Sequence, residues 1–281
     1  MIPTAFDYQR ASSIDDALAK LKAADGAKLI AGGHSLVPLM KLRLSEPSVL
    51  IDIARIPGLS GIREKDGAIE IGAATTHHDV ASSALIRQSC PVVSDTAGEI
   101  GDPQVRNRGT LGGSLAHADP AADYPAAMLA VDAEVHLKGL KGWRKVKASD
   151  FFQGLFTVNM TPDELIVGVQ FKPVKAAAYA KLHQRASHFA IVGVAAAVEV
   201  KGGTIQWARV GLTGAGTHAT RLTAVEKALA GKPATKQSID AAAALATLSE
   251  VNSDIHASDE YRRAMIPVFT RRALEGALAR V

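Results

Sequence analysis

The sequence predicts an α+β fold, and three stretches carry the prediction. Apolar runs on either side of an amphipathic segment make a β-α-β unit from about Phe6 to Ile53. The alternation of LSGIREKDGAIEIGAAT about an Asp66-Gly67 turn makes an antiparallel hairpin. The last third places strands first and helices after them, the segregated order of an α+β chain. With 281 residues, 47% of them hydrophobic, the chain can bury a substantial core and divide into two or three subdomains.

In chain order, Ser12 or Ser13 can cap a helix through IDDALAKLKAAD, whose apolar positions Ile14, Leu18 and Leu21 recur at helical spacing before Gly26 stops it. A strand, KLIA, runs into a glycine loop from Ala31 to Leu36, where Ser35 can cap a short helix with Pro38 in its first turn. SVLIDI reads as a buried strand, and after the hairpin Thr75 or Thr76 can cap a helix beginning near His77 and His78. A helix from Pro91 to Ile100 leads through GDPQVRNRG to TLGGSLAHADPAADY, and then come strands at AEVHLK, WRKVK and ELIVGVQF, ending near Pro173. In the last third AYAKLHQR, FAIVGVAAAVEV and TIQWARVGL suggest a small three-stranded antiparallel sheet, with GLTGAG connecting it to helices at AVEKALAG, SIDAAAALATL and SDEYRRAM through ALEGALAR. Ser258 can cap the last helix, Pro267 should kink or split it, and Arg262, Arg263, Arg271 and Arg272 read as a solvated face or a partner surface.

Composition narrows the function. The net charge of +4 is mild and the basic residues are scattered, which argues against nucleic acid as a partner. The apolar runs fall short of a transmembrane segment, and MIPTAFDYQR lacks the features of a signal peptide, so a cytoplasmic protein is the default. Cys90 is the only cysteine, which excludes an intramolecular disulfide, a CxxC redox pair and a thiolate metal cage. Redox chemistry would need a bound organic cofactor.

Two glycine loops carry the chemistry. The stretch Thr110 to Tyr124 combines Gly112 and Gly113 with hydroxyls, His117, Asp119 and Asp123. Such a loop can bring backbone N–H groups close to an anion, with Asp123 accepting from sugar hydroxyls; read otherwise, it is a glycine turn before a helix capped by Asp123. Ala31-Gly32-Gly33-His34-Ser35-Leu36 stands between a strand and a helix start, a position where free amides and the helix dipole favour phosphate. Neither loop is GxGxxG, and GxxxxGK[ST] is absent. Two such loops together suit a ligand with two phosphates and a sugar, a dinucleotide.

AGGHSLVPLMKLRL, QVRNRGTLGGSLAHADPAADYPAAML and YAKLHQRASHFAIVGVAAAVEV, with DFFQGLFTVNMTPDELI and HASDEYRRAMIPVFTRRAL, resemble the FAD-binding medium subunit of the molybdenum hydroxylases, the group that includes carbon monoxide, xanthine and nicotine dehydrogenases. The resemblance runs nearly end to end. It implies a two-subdomain FAD-binding domain of the vanillyl-alcohol oxidase (PCMH) type over residues 1–55 and 56–175, completed by a smaller α+β domain over 176–281. It places the first pyrophosphate loop on Ala31, Gly32, Gly33, His34, Ser35 and Leu36, with Ile30 before it, and the second on Thr110, Gly113, Ser114 and His117. It also puts Asp123 toward the ribitol or ribose hydroxyls, with Ala122 beside it among the cofactor-binding residues, Ile166 and Lys181 near the isoalloxazine, and Phe189 against the flavin ring, where some relatives have tyrosine. Lys181 near the pyrimidine edge would stabilise reduced flavin; otherwise it is a surface lysine in a strand.

The implied function is electron transfer: the chain accepts electrons from a [2Fe–2S] small subunit, associates with a molybdopterin-binding large subunit and passes electrons to oxygen, NAD or a quinone. One cysteine cannot supply the four thiolates of such a cluster, so the cluster must sit on a partner. The alternatives are a self-contained FAD-dependent oxidase or dehydrogenase, and a metal-dependent hydrolase using His117, Asp119 and Asp123.

Overall fold

The structure is a computed structural model that describes residues 2–281; Met1, at the start of the expected first subdomain, lies outside them. The chain opens with β1 (Asp7–Arg10), α1 (Ile14–Ala23), β2 (Lys28–Ile30), α2 (Leu36–Lys41) and β3 (Val49–Asp52). The three strands form a parallel sheet in the order β1-β3-β2. Ser13 is the cap of α1: its hydroxyl accepts from Asp16 N at 3.1 Å, with Asp15 and Asp16 in the positive first turn and Lys20 and Lys22 near the negative end.

The middle of the chain is built on a five-stranded antiparallel sheet, whose strands are β4 (Ile62–Lys65), β5 (Ala68–Gly72), β6 (Glu134–Gly139), β7 (Gly142–Lys147) and β10 (Glu164–Phe171), in the order β4-β5-β10-β6-β7. Between β5 and β6 run six helices: α3 (His77–Ser82), α4 (Ala84–Ser89), α5 (Pro91–Gly98), α6 (Pro103–Arg106), α7 (Leu111–His117) and α8 (Tyr124–Ala130). Between β7 and β10 lie α9 (Ala148–Phe151) and a ribbon of β8 (Phe152–Gly154) and β9 (Thr157–Val158).

The last part holds β11 (Ala177–His183), β12 (Ala190–Lys201), β13 (Thr204–Thr213) and β14 (Thr220–Arg221), then α10 (Thr223–Leu229), α11 (Lys236–Ala243) and α12 (Asp259–Leu278). The expected three-stranded sheet has four strands, because the two residues of β14 pair with Leu212 and Gly211. A strand that short carries no alternation to read. β12 is apolar from Ala190 to Val198 because both its faces are covered there: Ala195 and Ala197 enter the core shared with the first two sheets, while Val192, Val194, Ala196 and Val198 pack under the C-terminal helices.

Two further expectations are corrected. Pro267, expected to kink or split α12, does not split it, since the helix is continuous from Asp259 to Leu278, with Ile266, Phe269 and Thr270 around the proline buried. Arg262 is not on a solvated face. It is 3% exposed, and its Nη1 donates to Ile191 O at 2.9 Å and Gly214 O at 2.7 Å while Nη2 pairs with Asp254 at 2.6 Å. Helical phase turned it toward the ends of β12 and β13, whose carbonyls needed a donor. Arg263 and Arg272 are exposed, and Arg271 is half-buried.

Candidate functional site

The first loop leaves β2 at Ile30 and turns at Gly33, whose φ of +74° is a left-handed conformation that glycine takes without strain. Gly32 is required for a different reason. A Cβ there would lie 2.2 Å from Arg108 O and 2.8 Å from Gly109 Cα, so the first loop rests directly on the backbone that leads into the second. Among the described residues, no acceptor meets the N–H groups of Gly32, Gly33, His34 or Ser35. These donors face no protein partner at the start of α2, where the helix dipole adds positive potential. The Ser35 hydroxyl does not cap α2, and His34, exposed, turns Nδ1 back to Gly32 O at 3.0 Å.

The second loop works in another way. Thr110 is the N-cap of α7, its hydroxyl accepting from Gly113 N at 3.2 Å, and Ser114 N donates to Thr110 O at 3.0 Å. Leu111 N is bonded to Thr75 O at 3.0 Å and Gly112 N to Ala73 O at 2.8 Å. The amides expected to cradle an anion here are therefore committed inside the protein. Gly112 is buried, and a Cβ on it would meet Ala73 Cβ at 2.5 Å, so its glycine serves packing. Thr110, Gly113, Ser114 and His117 follow the i, i+3, i+4, i+7 spacing of one helical face; Thr110 is buried as the cap, so what α7 offers outward is Gly113, exposed, with half-buried Ser114 and His117, away from buried Leu111 and Leu115. His117 lies 5.1 Å from the Phe156 ring, and partial burial holds its pKa below the usual histidine value.

His77 braces the junction of the two loops. Its N–H donates to Gly109 O at 2.9 Å, and an added Cβ on Gly109 would fall 2.5 Å from its Nε2. Burial lowers the His77 pKa from 6.5 to about 4, helped by the nearby charges of His34 and Arg106. Its ring lies 5.3 Å from that of Tyr124, and the His77 Nδ1 and the Tyr124 hydroxyl are both buried without a hydrogen-bond partner among the described residues.

Asp123 does not cap α8. It is buried, and its carboxylate accepts from the Tyr179 hydroxyl at 2.5 Å and from Lys181 Nζ at 2.9 Å. Lys181 also donates to Glu99 O at 2.9 Å, and with its side chain 2% exposed it is not a surface lysine. Burial pushes the Asp123 pKa up to about 6, against the opposing pull of Lys181 and the Tyr179 hydroxyl. The residues before it are stitched to the C-terminal sheet: Thr213 Oγ1 donates to Pro120 O at 2.9 Å and to Ala122 O at 2.7 Å, Gly214 N to Pro120 O at 2.8 Å, and Ala190 N to Ala121 O at 3.2 Å.

The fold thus joins the first loop to the approach of the second and brings Asp123 to Lys181. Ile166 is buried in β10 beside a register shift, where Val167 O accepts from Ala73 N at 2.9 Å, the same Ala73 that holds Gly112. Phe189 is half exposed in the β11–β12 turn and follows no bonded contact into the Asp123 cluster, though Ala190 beside it binds Ala121. Tyr179 and Thr213 were not expected. Tyr179 stands two residues before Lys181 on one strand, so the period of two was the available signal. The hydrolase alternative lacks its ligand set: His117 Nε2 is 4.0 Å from Asp119 Oδ2, Asp123 is committed to Tyr179 and Lys181, and no three His, Cys, Asp or Glu side chains converge among the described residues.

Open amides at a strand-to-helix turn, a second loop fitted against it and a buried acid–lysine pair give the chain the form of a dinucleotide-binding subunit. Residues 4–173 match the family model described as the FAD binding domain in molybdopterin dehydrogenase, and residues 177–277 the CO dehydrogenase flavoprotein C-terminal domain. The chain is 39% identical to the carbon monoxide dehydrogenase medium chain of Hydrogenophaga pseudoflava, over 100% of this chain and 99% of that one. It is 41% identical to the 6-hydroxypseudooxynicotine dehydrogenase complex subunit alpha of Paenarthrobacter nicotinovorans, over 100% and 97% of the two chains. Among solved structures it is similar to carbon monoxide dehydrogenase from Hydrogenophaga pseudoflava, with a TM-score of 0.96, 41% identity and coverage of 100% and 99%. It is also similar to quinoline 2-oxidoreductase from Pseudomonas putida 86, with a TM-score of 0.93, 31% identity and 99% of each chain covered. The chain belongs to the FAD-binding medium subunits of the molybdenum hydroxylases, and FAD is its cofactor.

Proposed function

We propose that this chain is the electron-transferring subunit of its complex, accepting electrons from a [2Fe–2S] small subunit that is paired with a molybdopterin-binding large subunit, and delivering them to a terminal acceptor in the cytoplasm. Bound FAD supplies the redox chemistry. In this reading residues 1–55 and 56–175 are the two halves of a PCMH-type FAD-binding domain, and 176–281 the closing α+β domain. The single observation that carries the cofactor's placement is the set of unpartnered amides on Gly32, Gly33, His34 and Ser35, whose chemistry fits a pyrophosphate. Ile30, Ala31 and Leu36 hold that turn between strand and helix.

On the second loop, Thr110 fixes the start of α7, and Gly113, Ser114 and His117 let a ligand approach the helix closely at Gly113 and offer it a hydroxyl and an imidazole. Ala122 and Asp123 face its sugar hydroxyls, and Ile166 and Phe189 give apolar contact to its ring. The Lys181 ammonium is spent on Asp123 and Glu99, so it acts on the flavin through the field of a fixed ion pair. The test is purification of the chain from its native host under mild conditions. We expect it to arrive with partners carrying iron and molybdenum, and with flavin that heat or acid releases. A solitary flavoprotein reduced rapidly by an organic substrate would overturn the reading.

A further inference from the structure

We propose that Tyr179 is a positioning residue of the cofactor site, holding the Asp123 carboxylate charged and fixed in direction through its 2.5 Å hydrogen bond. The inference rests on the FAD placement above. On β11, Tyr179 and Lys181 share a face, and across β12 Lys181 is paired with Gly193. Because Gly193 has no side chain, the ring of Tyr179 lies diagonally over it: a Cβ at 193 would stand 2.3 Å from the Tyr179 hydroxyl oxygen, 3.1 Å from its Cζ and 2.9 Å from Thr213 Cγ2. Position 193 is closed to side chains because the tyrosine hydroxyl needs that space.

A carboxylate offers about four acceptor sites. Here Tyr179 occupies one on Oδ1, while Lys181 Nζ sits 2.9 Å from each oxygen, which leaves a single site for a ligand hydroxyl. The charged groups around Asp123 are Lys181 from β11 and Glu99 from the end of α5, with Tyr124 beside it on α8. Without the tyrosine hydroxyl, burial and Glu99 oppose Lys181 with less help, and the carboxylate takes up a proton at higher pH. A protonated Asp123 cannot accept from a sugar hydroxyl on the same site or hold Lys181 by charge.

The test is a titration of the full-length apoprotein with FAD, followed by flavin fluorescence between about pH 5.5 and 8.5, for wild type, Tyr179→Phe, Gly193→Ala and the double variant. Tyr179→Phe should bind about tenfold more weakly near pH 6 and within about threefold of wild type near pH 8, moving the acid limb to higher pH. Gly193→Ala should move it in the same direction, because its methyl displaces the hydroxyl. In the Tyr179→Phe background, where the worst clash is gone, Gly193→Ala should cost less thermal stability than it does in wild type. If Tyr179→Phe fails to fold, Gly193→Ala, which keeps every side chain of the cluster, carries the same comparison. A Tyr179→Phe protein with the wild-type pH profile overturns the proposal alone; a wild-type apoprotein that takes up no FAD overturns the cofactor placement with it.

Discussion

His77 makes the junction of the two loops sensitive to acid. Burial lowers its pKa from 6.5 to about 4, so the unfolded chain takes up a proton first as pH falls. Its contribution is therefore intact above about pH 6.5 and lost as pH falls toward 4, a difference of roughly 3 kcal/mol. His77→Phe keeps a ring beside Tyr124 and should flatten the acid limb of a plot of urea midpoint against pH; an unchanged limb would assign the proton elsewhere. Arg262→Ala should destabilise by about 2–4 kcal/mol in urea, since it strands the Ile191 and Gly214 carbonyls that the guanidinium serves. A loss below about 0.5 kcal/mol would show that water replaces it. At this scale the sequence was legible where a residue's role is local, as with Ser13 capping α1; the short helix α7 was missed, since the stretch with Gly112 and Gly113 read as a loop. It was opaque where the partner is distant: nothing near Arg262 marks the carbonyls it meets, and Asp123 looked like a helix cap because Tyr179 and Lys181 are more than fifty positions away.

Elements were legible when one face was wet. The β4–β5 hairpin pairs about Asp66-Gly67 as its alternation requires, whereas β14 is too short to show a period and α12 keeps its helix through Pro267 because burial on both sides outweighs the missing hydrogen bond. The glycines of the two loops looked alike in sequence and differ in structure, which gives a paired prediction. Gly32→Ala forces a methyl into Arg108 O at 2.2 Å, so it should lower thermal stability and FAD content together. Gly113→Ala, on an exposed helical face where it meets only the Thr110 hydroxyl at 2.8 Å, should fold with stability within about 1 kcal/mol of wild type. It should nevertheless bind FAD more weakly, because the methyl occupies the ligand's approach. Equal FAD affinity in a folded Gly113→Ala protein would remove α7 from the site.

At the scale of the molecule, α8 is buried along its whole length between β12 and β13 and the helices α5, α7 and α9, and Gly211 lies so close that a Cβ would stand 2.2 Å from Ala126 O. The carbonyls of Pro120, Ala121 and Ala122 find their donors only in the C-terminal sheet. That stitching makes the cut between the two family models, at residues 174–176, a place where the chain could be divided without being dismantled. Two polypeptides, 1–173 and 174–281, should each be poorly folded alone, the first with an apolar helix bare and the second with no surface to close on. Refolded together they should complement each other, and flavin uptake by the mixture, absent from either piece, is the readout. Full uptake by the first piece alone would show that Asp123 does not need the strand that holds it. If complementation succeeds, the cofactor becomes a reporter of reassembly, because the proposed site draws Asp123 from one fragment and Lys181 from the other.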